Sequence, residues 1–211
     1  MIGGWTAAAA LQSDFDATRE TISALAASPS ASPWVMTTGL AVTGLCHCVT
    51  AAGLRSAHPV GRVALAVAGG ATAAVAALPV DISPQAHGAA ATVAFVGLTV
   101  WPALAARRSA PLGLDRRTGL LATAGLSALL VWFVLELQQL PPGLGSATGL
   151  SERALAGAQS LWPLAVVLLL RARNLRDRPA PRTDPRKPRT ERHQLPMDQG
   201  ESEHTGKGTP R

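Results

Sequence analysis

The sequence predicts an all-α fold, a polytopic transmembrane helix bundle, and three observations carry that expectation. Of its 211 residues 47% are hydrophobic and only 15% are charged. The apolar residues gather into four long runs and a shorter fifth, each near the ~20 residues that a helix needs to cross a ~30 Å hydrocarbon core. The connections between runs alternate between arginine-bearing and arginine-poor, as the positive-inside rule requires of a chain that weaves through a membrane. Five full spans follow, at about 34–54, 63–80, 86–106, 118–140 and 154–170.

Residues 1–33 precede them, a short apolar run followed by an amphipathic helix on the outer face. The run from Ile2 to Leu11 is apolar but too short to cross, and it lacks the cationic start of a secretory signal. In DFDATRETISALAA (14–27), Phe15, Ile22 and Leu25 recur at helical spacing between Asp14, Asp16, Arg19 and Glu20, the pattern of an interfacial helix. SPSASP (28–33) ends it.

The first span contains Cys46-His47-Cys48. Residues two apart on a helix point in different directions, so the cluster does not converge on a metal; it reads as buried packing thiols and a neutral imidazole bonded to a neighbouring helix. On the second span Ala66, Gly70 and Ala74 recur every four residues, the small-residue ridge that lets backbones approach in lipid. LPVDISPQAHGAA (78–90) ends that span and begins the next, with Ser83 as cap, Pro84 as first helical residue, Asp81 in the turn and His87 one turn inside. Two WP pairs place Pro102 and Pro163 where each kinks its helix. The fourth span carries Glu136 near one end, and Glu152 and Arg153 open the fifth.

The net charge of +6 resembles a nucleic-acid binder only until the charges are placed. Residues 171–211 hold eleven Lys or Arg against six Asp or Glu, with no aromatic residue to stack on bases, so nucleic acid is excluded as a partner. That proline-rich tail reads as disordered, and Arg171, Arg173, Arg176 and Arg178 stand where anionic lipid headgroups lie. Two arginines in 55–62 and four in 107–117 put these loops and the tail in the cytoplasm of a cell-membrane protein. Asp81, His87, Glu136, Glu152 and Arg153 then lie near the outer face.

GWTAAAALQSDFDATRETISALAA (4–27), PWVMTTGLAVTGLCHCVTAAGLR (33–55), ALPVDISPQAHGAAATVAF (77–95) and LSERALAGAQSLWPLAVVL (150–168), in that order, resemble the bacterial multi-pass membrane proteins grouped as domain of unknown function 998. The resemblance implies a six-helix ancestor with an extra span before Gly4-Trp5, most of it missing here, and a start assigned too far downstream is the favoured expectation. It implies no reaction.

The candidate site collects outer-face residues: Asp16, Arg19, Asp81, His87, Glu152 and Arg153, with Ser23 from the amphipathic segment. With no sharp catalytic motif, the leading expectation is a non-enzymatic protein that binds membrane lipids or an integral partner, Arg19 and Arg153 pairing with Asp16, Asp81 or Glu152 to lock the loops. No cofactor and no metal are assigned. The alternative is an outer-leaflet lipid or acyl hydrolase with Ser23 as nucleophile, His87 as base and Asp81 orienting the imidazole; a metal variant would use His87, Asp81 and Glu152. A second alternative is a small-solute or proton-coupled transporter built on His47 and Glu136.

Overall fold

Proline starts three of the long helices. Pro33, Pro59 and Pro84 each occupy the first turn, where the missing N–H is not needed and the fixed φ suits the helix. The computed structural model describes residues 1–108, 110, 113–140 and 146–177. Among them are seven helices and no strand: α1 Ile2–Ala10, α2 Ile22–Leu25, α3 Pro33–Gly53, α4 Pro59–Ala77, α5 Pro84–Ala105, α6 Arg116–Gln138 and α7 Thr148–Arg176. The five from α3 to α7 are long and apolar enough to cross a membrane.

Each spanning helix packs chiefly on the next in sequence, and α1 packs on α3. At one end lie Asp81, Ser83 and the start of α7; at the other lie Arg55, Arg62 and Arg107. We call these the cap end and the arginine end. The buried core has two parts, one around Leu65, Trp101, Leu114 and Val166 toward the arginine end, the other around Ile22, Leu25, Met36 and Leu40 toward the cap end. Helix α6 is the least enclosed, with 17% of its most apolar stretch buried against at least 33% for the other four.

Close backbone contact sets the α3–α4 crossing. A Cβ added to Gly69 would lie 2.7 Å from the Gly44 carbonyl oxygen and 2.9 Å from Cys48 Sγ; one on Gly44 would meet the backbone of Gly69 and Ala73. Gly61 is pressed in the same way on the backbone of Ala105 in α5. The small-residue principle holds, but the expected ridge is displaced by one residue: Gly70 has open space around it, and the face that packs is Gly61, Leu65, Ala68, Gly69, Thr72 and Val75. Helix α1 uses the device too, Gly4 standing against Gly39 of α3.

Other expectations need correction. Residues 14–27 are helical only over Ile22–Leu25, where Thr21 Oγ1 accepts the Ala24 N–H at 3.3 Å; the stretch before it is held in turns by contacts with α7. Cys46 is exposed on α3 rather than buried, and Cys48 is half-buried, its thiol 3.5 Å from the Ala66 carbonyl. His47 is buried, but its Nδ1–H donates to the Thr43 carbonyl of its own helix at 3.0 Å rather than to a neighbour. Ser83 occupies the N-cap position of α5 without a side-chain cap bond; its carbonyl accepts the His87 N–H at 2.9 Å. Pro102 and Pro163 lie inside α5 and α7. Helix α7 runs on to Arg176, so Arg171, Arg173 and Arg176, expected in the disordered tail, are helical; Arg178 and the rest of the tail lie outside the described residues.

Candidate functional site

The segment between α1 and α3 is tied to the cap end by polar contacts. The Ile22 N–H donates to Glu152 Oε2 on α7, and Leu150 N–H donates to the Thr18 carbonyl at 2.9 Å. Arg153 Nη1 donates to the carbonyls of Ala17 and Glu20 at 2.8 Å each and of Gly149 at 2.9 Å, and its guanidinium lies 5.3 Å from the Phe15 ring centroid, within cation–π range. Gly149 is required here, since any Cβ would collide with the Glu20 carbonyl oxygen. Ser28 N–H reaches both oxygens of Asp81, at 3.4 and 3.3 Å. Hydrogen bonding from Ser28 holds the Asp81 carboxyl below the usual carboxylate range.

His87, one turn into α5, is 5% exposed and both ring nitrogens are engaged. Nδ1 lies 2.7 Å from the Leu78 carbonyl oxygen, which can only accept, so Nδ1 carries the proton. In the neutral ring Nε2 is then the acceptor, and Ser23 Oγ, 2.9 Å away, donates to it. Thus α2 is pinned to α5 by a hydroxyl–imidazole bond across 64 residues of sequence.

Ser23, His87 and Glu152 form part of the wall of a crevice of about 510 Å³ between α5 and α6. Its other walls are mainly apolar, including Phe95, Val96, Phe133 and Leu137. The volume falls within the ~300–1,000 Å³ of ordinary ligand pockets, and apolar walls with a few polar groups at one end are the usual composition. Ser23 and Glu152 also border an inner cavity of about 40 Å³ among α3, α4, α5 and α7. His47 and Gln159 face it; Gln159 Nε2 donates to the Phe95 carbonyl at 2.9 Å and to Thr99 Oγ1 at 3.0 Å, while His47 Nε2 and Gln159 Oε1 have no protein partner. Space for water is about 10–15 Å³ per molecule, so this cavity suffices to hydrate them.

The structure brings together Ser23, His87, Glu152 and Arg153 and separates the other candidates from them. Asp81 is exposed and serves Ser28, and the Leu78 carbonyl takes the position beside Nδ1 expected for the Asp81 carboxylate. Asp16 and Arg19 meet each other at 3.6 Å on the surface, a solvated pair of little energetic weight. The loops are locked, but Arg153 does so through carbonyls rather than through Asp16, Asp81 or Glu152. Among the described residues no three His, Cys, Asp or Glu side chains are placed to hold a metal. Glu136 is buried at the end of α6, where Oε2 accepts the Ala147 N–H at 3.2 Å and its carbonyl accepts Thr148 Oγ1 at 3.3 Å, so it shapes the α6–α7 connection.

Sequence reasoning missed Gln159, Thr99 and the Leu78 carbonyl. A lone glutamine within an apolar run was a usable signal, because polar groups at membrane depth face partners; a backbone carbonyl leaves no signal in composition. Five spanning helices joined by short connections, with polar groups gathered at one end, define an integral membrane protein. The family described as Protein of unknown function (DUF998) matches residues 1–169, and the chain belongs to it. No curated protein and no solved structure matches the chain.

Proposed function

We propose that this protein binds a membrane lipid in the α5–α6 crevice, in the cell membrane, with the arginine end and the C-terminal tail in the cytoplasm. The observation that carries the reading is the crevice itself: an apolar slot on the least enclosed helix, with Ser23, His87 and Glu152 at its cap-end rim. An acyl chain fits between α5 and α6 while the polar part of the molecule meets the rim. Binding needs no chemical step. The orientation follows from Arg55, Arg62, Arg107, Arg108, Arg116 and Arg117 at one end, where the positive-inside rule places the cytoplasm.

A second lipid contact is supported at that end. A crevice of about 680 Å³ between α3 and α7 is bordered by Arg55, Arg171 and Arg173, so α7 and the turn after α3 bring cationic side chains to one opening. Anionic headgroups gain about 1 kcal/mol from each arginine near the surface, and Arg176 and Arg178 extend the series toward the tail.

The test is native mass spectrometry of the full chain released from membranes in mild detergent. Retained lipid is expected in the wild type and lowered in Gly88→Leu: Gly88 lines the α5–α6 crevice, and a Cβ there meets nothing within 4 Å, so the leucine narrows the slot from an uncrowded position. Equal lipid in both proteins would defeat the assignment.

A further inference from the structure

We propose that Ser23 and His87 are a nucleophile and its base, and that the pair cleaves a carboxylic ester of an amphiphile held in the α5–α6 crevice. The inference rests on the lipid-binding reading for its substrate and on three independent features for its chemistry. Ser23 Oγ and His87 Nε2 are 2.9 Å apart, within reach for direct proton transfer. The Leu78 carbonyl, 2.7 Å from Nδ1, holds the ring in the tautomer that leaves Nε2 free to accept, the role a third group plays in any hydroxyl–imidazole pair of this kind. Both side chains line the apolar crevice, so an ester carried on an acyl chain in that slot is brought to the hydroxyl.

A purely mechanical role for this bond is the competing account, since it joins α2 to α5. The segment is already tied down by Glu152 at Ile22, by Arg153 at Ala17 and Glu20, and by Leu150 at Thr18. The additional bond sets the protonation geometry of a single serine on a ligand-sized opening, which a mechanical pin does not need.

The reaction proceeds in two steps. Ser23 Oγ attacks the ester carbonyl carbon as its proton passes to His87 Nε2. The imidazolium, steadied by the Leu78 carbonyl, gives that proton to the departing alcohol oxygen, and the C–O ester bond breaks to leave Ser23 acylated. Water then attacks the acyl carbon, Nε2 takes its proton and returns it to Ser23 Oγ, and the carboxylic acid leaves. Ester and water are consumed, acid and alcohol are produced, and the protein is restored.

The experiment uses the full chain in lipid nanodiscs, with a fluorophosphonate as a serine-directed probe, a p-nitrophenyl alkanoate as ester, and bound lipid measured on the same samples. Expected are a phosphonate adduct mapped by peptide mass spectrometry to Ser23, and turnover lowered about 10²–10⁴-fold in Ser23→Ala and His87→Ala, the range that loss of a positioned proton-transfer group spans. Ser23→Cys, which keeps a nucleophile of similar size, should still be acylated. Wild-type protein that retains lipid yet is neither labelled at Ser23 nor faster than Ser23→Ala overturns the inference and leaves the binding reading intact. Absence of bound lipid with labelling at Ser23 removes the binding reading and keeps the dyad. Should Ser23→Ala fail to fold, the wild-type label position and the His87→Gln rate decide.

Discussion

Where α4 crosses α3, Gly44 and Gly69 bring the backbones so close that a Cβ on Gly69 would lie 2.7 Å from a carbonyl oxygen; where α5 faces α6, Phe95 and Phe133 keep their ring centroids 5.4 Å apart and a crevice of about 510 Å³ opens beside them. Both are contacts between consecutive helices. In lipid no hydrophobic force favours one helix face over another, so tight packing requires small residues, and a seam lined by long side chains is left for acyl chains to enter. The α3–α4–α5 part is therefore the closely packed frame, and α6 is the helix on whose open side the proposed ligand lies.

The largest expected effect lies in the frame and contrasts two adjacent residues. Gly69→Ala should destabilise by about 1–3 kcal/mol, the usual cost of overpacking, whereas Gly70→Ala, whose Cβ meets open space, should change stability by about 0.5 kcal/mol or less. Thermal unfolding in one detergent measures both, and equal shifts would show that the packed face of α4 is wrongly placed.

Of similar size is the effect at the cap. Glu152→Ala leaves the buried Ile22 N–H without its acceptor and should cost about 1–3 kcal/mol, with amide exchange at Ile22 rising ahead of exchange in α3 and α4. Protection at Ile22 unchanged in the variant would mean that the carboxylate does not hold the segment.

The smallest effect concerns Asp81. Its carboxyl is held below its ordinary range by Ser28, so the folded state binds a proton less readily than the unfolded chain. Its contribution is present above the ordinary carboxylate range and fades as pH falls through the lowered value. Because Asp81 is exposed, the loss should be confined to weaker protection of Ser28 N–H, measured against its intrinsic exchange rate, under acid, and Asp81→Asn should remove that pH dependence. Protection at Ser28 that is flat with pH in the wild type would contradict the contact.

The spans were legible because each needs only a run of apolar residues, a property summed over about 20 positions. A helix start was legible at Pro84, where proline marks the first turn, whereas Pro33 read as part of a breaker and begins α3; the packed face of α4 was less legible from Ala66, Gly70 and Ala74, because a four-residue repeat fixes spacing without saying which face meets a neighbour. Ser23 and His87 could be named as partners, but not their orienting group. Asp81 looked suitable by charge, while the group that meets Nδ1 is the Leu78 carbonyl, present at every residue and chosen only by how α4 ends. The short segment 14–21 lost its helical pattern to Arg153 and Leu150, whose hydrogen bonds take carbonyls that a helix would have used.

Lipid occupancy of the wild type beside Gly88→Leu tests the seam most directly, because the substitution narrows the crevice and leaves the glycine crossings of α3, α4 and α5 untouched. Native mass spectrometry should show retained lipid lowered about tenfold or more, equivalent to about 1.4 kcal/mol of binding free energy, with unfolding temperature preserved. Undiminished lipid on a fully folded Gly88→Leu protein would contradict the account.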